Sequence, residues 1–144
     1  MKIFYRLGVA VICITAGTMV YAFYLFIFPL DIVKINNIPY PVLKQVVVAG
    51  TNVEYRSDFC AYAVATAQLV QYFEDTDGRL IILSPKAFTT SVGCFTPIGT
   101  VLVPDTTPPG TYTLHTAATY AVNPLHSIIV TSVTQPFTVT SPTK

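Results

Sequence analysis

Two histidines, three cysteines and seven carboxylates are the residues with which this 144-residue chain could most readily hold a metal or move a proton. Metal sites need several such ligands at fixed spacing. His115 and His126 stand without further ligands nearby, and the alternation around His115 sets it beside Thr113 on the polar side of its segment, so the pair reads as surface residues. Glu74-Asp75-Thr76-Asp77-Gly78 has the carboxylate density of a calcium loop. Such a loop requires a further acidic ligand beyond the glycine, where this chain has Arg79 and an apolar run. Asp-Gly is a strong hairpin signal, so a turn is the expectation. His126 and Ser127 are neighbours on a β run and therefore face opposite ways, and Ser132 has no base and orienting partner in sequence reach. There is no nucleophile elbow, phosphate-binding glycine loop or zinc-protease motif. The expectation is a protein that is not an enzyme, with no catalytic residue, no metal and no cofactor.

The cysteines divide by environment. Cys13 lies in an apolar N-terminal run, and Cys60 and Cys94 lie in a β-like region. If that region is outside the cytoplasm, Cys60 and Cys94 are the two that pair, with two buried free thiols as the alternative. The bridge would contribute about 3–4 kcal/mol by loop entropy. Nine Tyr and nine Phe supply the remaining candidate contacts. Phe59, Tyr62, Tyr72, Phe73, Phe88 and Phe95 could form a binding patch, since aromatics are enriched at interface hot spots. Core packing and membrane contact are the default for such side chains.

The elements that must carry these residues follow from composition. Hydrophobic residues make up 52% and charged residues 10%, which excludes a charge-rich disordered tail. A net charge of +1 leaves no electrostatic footprint for nucleic acid. The excess hydrophobicity is concentrated in residues 7–30, which hold no charge. As a helix they would extend about 36 Å at about 1.5 Å per residue, enough to cross a hydrocarbon core of about 30 Å. Tyr21, Tyr24 and Pro29 suit an interfacial belt and a helix stop. A cleaved leader is the rival, with Val20-Tyr21-Ala22 as a loose cleavage site. It is disfavoured because the apolar run continues from Phe23 to Phe28, and no lipid-attachment pattern precedes Cys13. Lys2 and Arg6 bias residues 1–6 toward the cytoplasm as a short tip, which puts everything after about residue 31 outside.

Residues 31–43, with Pro39-Tyr40-Pro41, read as a semi-stiff connector, and residues 44–144 as a β domain. Prolines leave little room for long helices. Strands are expected at residues 44–48, 53–60, 80–83, 100–103, 111–122, 127–133 and 136–140, the clearest being Thr111 to Val122 with its strict alternation. Residues 62–73 fit either period, and a strand is preferred because they run into a turn and another β run.

Several short strands with frequent turns suggest an antiparallel sandwich. Pro108-Pro109-Gly110-Thr111-Tyr112-Thr113-Leu114 resembles the start of the penultimate strand of immunoglobulin-like domains. The resemblance implies that the Tyr112 hydroxyl bonds backbone upstream and that Leu114 takes the core position held by cysteine in antibody domains. It covers about the last 35 residues, and there is no Trp for the usual core position. The layout also looks like small membrane proteins encoded by bacteriophages. The expected fold is thus mainly β, a single transmembrane helix followed by an Ig-like sandwich. The expected function is membrane-anchored binding or scaffolding, contacting lipid through residues 7–30 and a membrane or envelope protein through the rest, without nucleic acid. The expected location is a bacterial inner membrane with the C-terminal domain in the periplasm. A structural subunit of a membrane assembly, with Thr15-Ala16-Gly17-Thr18 as a helix-packing surface, and a phage effector of the envelope are the alternatives.

Overall fold

A computed structural model of the protein describes residues 2–27, 31–123 and 126–142. The chain is mainly β with one N-terminal helix. Helix α1 covers Lys2–Ile27, starting ahead of the expected residue 7, while the expected end at residues 28–30 lies outside the described residues. Thr15 and Thr18 return their hydroxyls to carbonyls one turn back, Val11 and Ile14 among them, so two polar groups in an apolar helix are satisfied without water. The side chains from Arg6 to Tyr24 are all exposed.

Twelve strands follow: β1 (Val33–Ile35), β2 (Val46–Val48), β3 (Asn52–Arg56), β4 (Phe59–Ala61), β5 (Thr66–Asp75), β6 (Leu80–Ile82), β7 (Lys86–Thr89), β8 (Gly93–Phe95), β9 (Ile98–Leu102), β10 (Gly110–Asn123), β11 (His126–Val133) and β12 (Phe137–Thr140). The ambiguous stretch 62–73 is strand from Thr66 onward, as preferred. Its inward positions Ala67, Leu69, Gln71 and Phe73 repeat every second residue, the spacing that a strand and not a helix brings to one face.

Strands β5 and β10 form the spine, antiparallel from Tyr112 opposite Asp75 to Tyr120 opposite Ala67. Each outer edge of this pair is shared by two strands. β6 and β7 divide the free edge of β5. β11 and β12 divide that of β10, with the register slipping by one residue between them. The slip falls at Gln135-Pro136, where proline has no N–H to give the ladder. Thr134 holds the junction, giving its N–H to the Leu114 carbonyl at 3.0 Å while its hydroxyl accepts the Leu114 N–H at 3.0 Å. β2 extends the sheet by pairing parallel with β12. Gly50, at φ 85°, provides the left-handed turn from β2 into β3.

Two further ladders pair β3 with β9 and β4 with β8. The single strand expected over 53–60 is two strands, interrupted at Ser57-Asp58. Both ladders nevertheless keep one register, because the Ser57 N–H reaches the Pro97 carbonyl at 3.0 Å across the gap. Cys60 faces Cys94 in this register with Cα atoms 4.0 Å apart, and the two form the expected disulfide, closing a separation of 34 residues.

The stretch expected to be a connector carries structure of its own. β1 pairs with β4, Ile32 and Tyr40 are buried, and Tyr40 bridges Thr134. Prolines on both sides suggested an unpaired spacer, yet the residue between them keeps both polar groups. The Tyr40 N–H donates to the Val133 carbonyl, and its own carbonyl accepts from the Gln135 N–H, each at 2.8 Å. Asn36 and Asn37 then donate side-chain amides to the Asp58 carboxylate, tying this stretch to the interruption between β3 and β4.

One buried cluster joins the β3–β9 ladder to the larger sheet, with Val47, Val53, Phe73, Val101, Leu114, Phe137 and Val139 at its centre. Phe73 and Phe137 meet edge to face at 5.7 Å, an arrangement that adds about 0.5–1.5 kcal/mol beyond area burial. A smaller cluster gathers Ile32, Ala67, Ala118 and Tyr120 toward β1.

Candidate functional site

Between the two clusters lies a cleft of about 330 Å³. Small-molecule sites begin at roughly this size. Val33 and Ile35 of β1, Leu69 of β5, Ala118 and Tyr120 of β10, and Val130 of β11 give it aliphatic and aromatic walls, closed on another side by Tyr40, Tyr55 and Phe59. Its polar floor comes from the spine. Gln71 and Thr116 are register partners on β5 and β10, and the Gln71 amide donates to the Thr116 hydroxyl at 3.2 Å. Tyr55 lines the cleft beside this pair.

Tyr55 reaches this floor because its rung partner is Gly99. A Cβ on Gly99 would lie 2.5 Å from Tyr55 Cζ, so the phenol ring occupies the space that any other residue's side chain would fill. Tyr40 stacks alongside at 6.3 Å between centroids, and its hydroxyl donates to the Asp58 carbonyl at 3.1 Å. Burial pushes the Tyr40 phenol up to about 12, the hydrogen bond to the Asp58 backbone opposing the shift. Burial also raises Tyr55, with Gln71 and Thr116 opposing the shift, and it raises Tyr120. The three phenols are therefore neutral around pH 7, each able to donate and to accept. Lys86, exposed on edge strand β7, is the one charged residue on the cleft wall.

A second hollow of about 420 Å³ abuts the cleft and shares Phe59, Phe88 and Pro97 with it. Phe59 meets Phe95 at 5.8 Å and Phe88 at 6.4 Å, and Thr89, Ser91 and Thr96 add hydroxyls. Of the six aromatics singled out from sequence, the fold thus gathers Phe59, Phe88 and Phe95. Tyr62 is exposed elsewhere, Phe73 is fully buried in the larger cluster, and Tyr72 lies flat on His115 with centroids 5.0 Å apart.

The remaining sequence candidates fall outside the cleft, Ser132 excepted, which sits on its wall. His115 bonds Glu74 at 3.1 Å and Thr113 at 3.1 Å. His126 opens β11 at the other end of the hairpin, opposite Asn123, while His115 pairs with Val133. Among the described residues no three His, Cys, Asp or Glu come together as a metal site. Asp75 caps its own turn, one carboxylate oxygen accepting the N–H groups of Asp77 and Arg79 at 2.8 Å each, with Gly78 at φ 79°. The Tyr112 hydroxyl donates to the Pro108 carbonyl at 2.9 Å, and Leu114 is buried two residues on.

Gln71 and Thr116 carried a signal in the sequence that points to the cleft. Each is a polar residue at an inward position of an otherwise apolar alternation, and such interlopers mark a wall that is not simply core. Gly99 gave no comparable signal.

No family model matches the chain, and no curated protein matches it. Solved structures give distant likenesses. The alkylpurine DNA glycosylase AlkC of Pseudomonas fluorescens, bound to DNA containing an abasic site analog, superposes at TM-score 0.44 and 18% identity, covering 76% of this chain and 30% of its own. A CARDB domain from Pyrococcus furiosus, in complex with di-metal ions, gives TM-score 0.43 at 8% identity over 78% of this chain and 93% of that domain. The sporulation control protein Spo0M of Bacillus subtilis gives 0.34 at 12% identity, over 80% and 51% respectively. The chain spans 30% of the glycosylase's length, and at such scores no activity carries over from any of them.

Proposed function

We propose that the chain is a single-pass membrane protein that displays an Ig-like β-sandwich outside the cytoplasm and acts by binding, not by catalysis. The observation that carries this reading is the helix. Residues Arg6–Leu25 form a span long and apolar enough to cross a membrane, and none of that window is buried by the rest of the protein. So large an apolar surface is costly in water and needs lipid or a partner helix to cover it. The sandwich is supported by the ladders that share one core, by β2 running parallel to β12 at the sheet edge, and by the Tyr112 corner. The Cys60–Cys94 bridge favours an oxidising compartment, for which the bacterial periplasm is our choice. Binding is supported by the cleft, an apolar hollow with few convergent polar groups.

Expression of the full chain with a C-terminal alkaline phosphatase, followed by alkaline carbonate extraction and N-terminal sequencing, tests the anchor. The expected product is phosphatase-active, carbonate-resistant and begins at Met1. A product beginning at residue 23, or a phosphatase that is made in full but stays inactive, overturns the reading. Cross-linking of the full chain in native membranes then separates binding from assembly. Partner links to residues 31–144 support the binding module, and links confined to α1 support the structural subunit.

A further inference from the structure

The cleft has the makings of a specific site, and its chemistry narrows the ligand. We infer that it takes one medium-chain monocarboxylic acid, with the alkyl chain along its apolar walls and the carboxylate at Lys86. This deepens, and rests on, the binding function proposed above.

Three observations carry it. The walls are aliphatic and aromatic and come from several strands, so an apolar ligand in this open cleft would meet apolar side chains on more than one side. A 150 Å³ apolar cavity holds a six-carbon ring. A cleft of about 330 Å³ therefore suits a chain of roughly ten to fourteen carbons, scaling from that case. The polar floor is neutral, and its Gln71 amide already donates to the Thr116 hydroxyl, so it demands no charged group from the ligand. Charge enters the lining only once, at Lys86, whose apolar stem can follow the wall while the ammonium stays in water. No carboxylate joins it on the lining, and no ion pair to Lys86 is found among the described residues. One cation beside an apolar hollow matches one monoanionic head on one apolar tail.

The test uses the full chain in phosphatidylcholine nanodiscs and a twelve-carbon fatty acid with a diazirine at its tail end. After photolysis, peptide mapping is expected to find saturable label on residues 55–59, 69–71 or 118–130. Lys86→Gln, at an exposed site, is expected to weaken labelling by about tenfold, the loss of one charge-assisted hydrogen bond. The matched twelve-carbon alcohol should label more weakly and ignore that substitution. Ala118→Phe should fill the cleft and abolish label while the Cys60–Cys94 bridge still forms. Label confined to α1 overturns the inference. Acid and alcohol labelling equally, with Lys86→Gln silent, also overturns it, since the cleft would then take any neutral chain, such as a lipid acyl tail. Carbonate extraction of the same preparation separates the two failures. A chain released by alkali defeats the anchor, whereas an embedded chain without cleft label defeats only the ligand.

Discussion

The two ends of the β5–β10 spine share one register and differ in what they bury. Toward the β12 end, the inward residues are Phe73 and Leu114, fully buried and packed on Phe137. Past the Gln71–Thr116 rung, they become Leu69, Ala67, Ala118 and Tyr120. Each rung there sets an Ala against a larger side chain, Ala118 opposite Leu69 and Ala67 opposite Tyr120, and the volume lost relative to Phe73 and Leu114 is not closed by a backbone fixed in a continuous ladder. One end is therefore filled and the other hollow. The difference teaches that a sheet can hold a cleft open when the same strands are packed tightly a few residues away.

The sharpest way to break this comparison is to excavate the filled end. Phe73→Ala should cost about 3–5 kcal/mol in chemical denaturation, the range for deleting a buried ring. Leu69→Ala, at a partly buried position on the cleft wall, should cost under about 1.5 kcal/mol by the area it hides. Equal losses would mean that the two ends are packed alike. Next comes the bridge. Cys60 follows Phe59 on the cleft wall, so the disulfide braces the hollow end where side-chain packing is thin. Replacing both cysteines by Ala should cost about 3–4 kcal/mol by loop entropy, read as a lower denaturation midpoint. Labelling of the cleft should fall with it. A midpoint unmoved by dithiothreitol would show that the hollow end stands without the bridge.

Legibility in the sequence follows the same division. Strand β10 announces itself because its alternation is largely kept where one face is buried, from Thr111 to Val122. The helix is equally plain, since an apolar run without charge has few other uses. β7 and β8 were not foreseen. Lys86-Ala87-Phe88-Thr89 is exposed at every position and so carries no alternation. β1 was hidden by the prolines that follow it, although Tyr40 between them pairs on both sides. The cleft was not foreseen either. Gln71 and Thr116 are polar residues on apolar faces that the sequence reading passed over, and their meeting depends on a register between strands about 45 residues apart, which local pattern does not encode.

Gly99→Ala sharpens the comparison at the boundary, because Tyr55 lines the cleft and also packs against the edge of the larger cluster. The new methyl would press on the far end of the Tyr55 ring, which can swing because it borders open volume. The expected cost is about 1–2 kcal/mol, at the low end for overpacking, because the hollow absorbs the strain. The Tyr55 ring resonances should shift in NMR spectra, and those of Phe73 and Phe137 should not. A loss as large as that of Phe73→Ala would mean that the ring is locked in place and the cleft is no free space.

The smallest effect belongs to the corner that closes the filled end. Tyr112 is buried, and its hydroxyl donates to the Pro108 carbonyl at 2.9 Å. Tyr112→Phe keeps the ring, removes that bond and leaves the carbonyl to find water, which should cost about 1 kcal/mol. The midpoint should fall while its denaturant slope stays the same, because the surface exposed on unfolding is unchanged. Pro108 stands near the end of the loop from β9 to β10 and is followed by Pro109, so little chain entropy is recovered when the bond is lost. That stiffness makes the bond's contribution a direct reading of how firmly the loop is pinned to β10. An unchanged midpoint would show that the two prolines hold the corner alone, and that the filled end is fixed by its apolar packing without help from the hydroxyl.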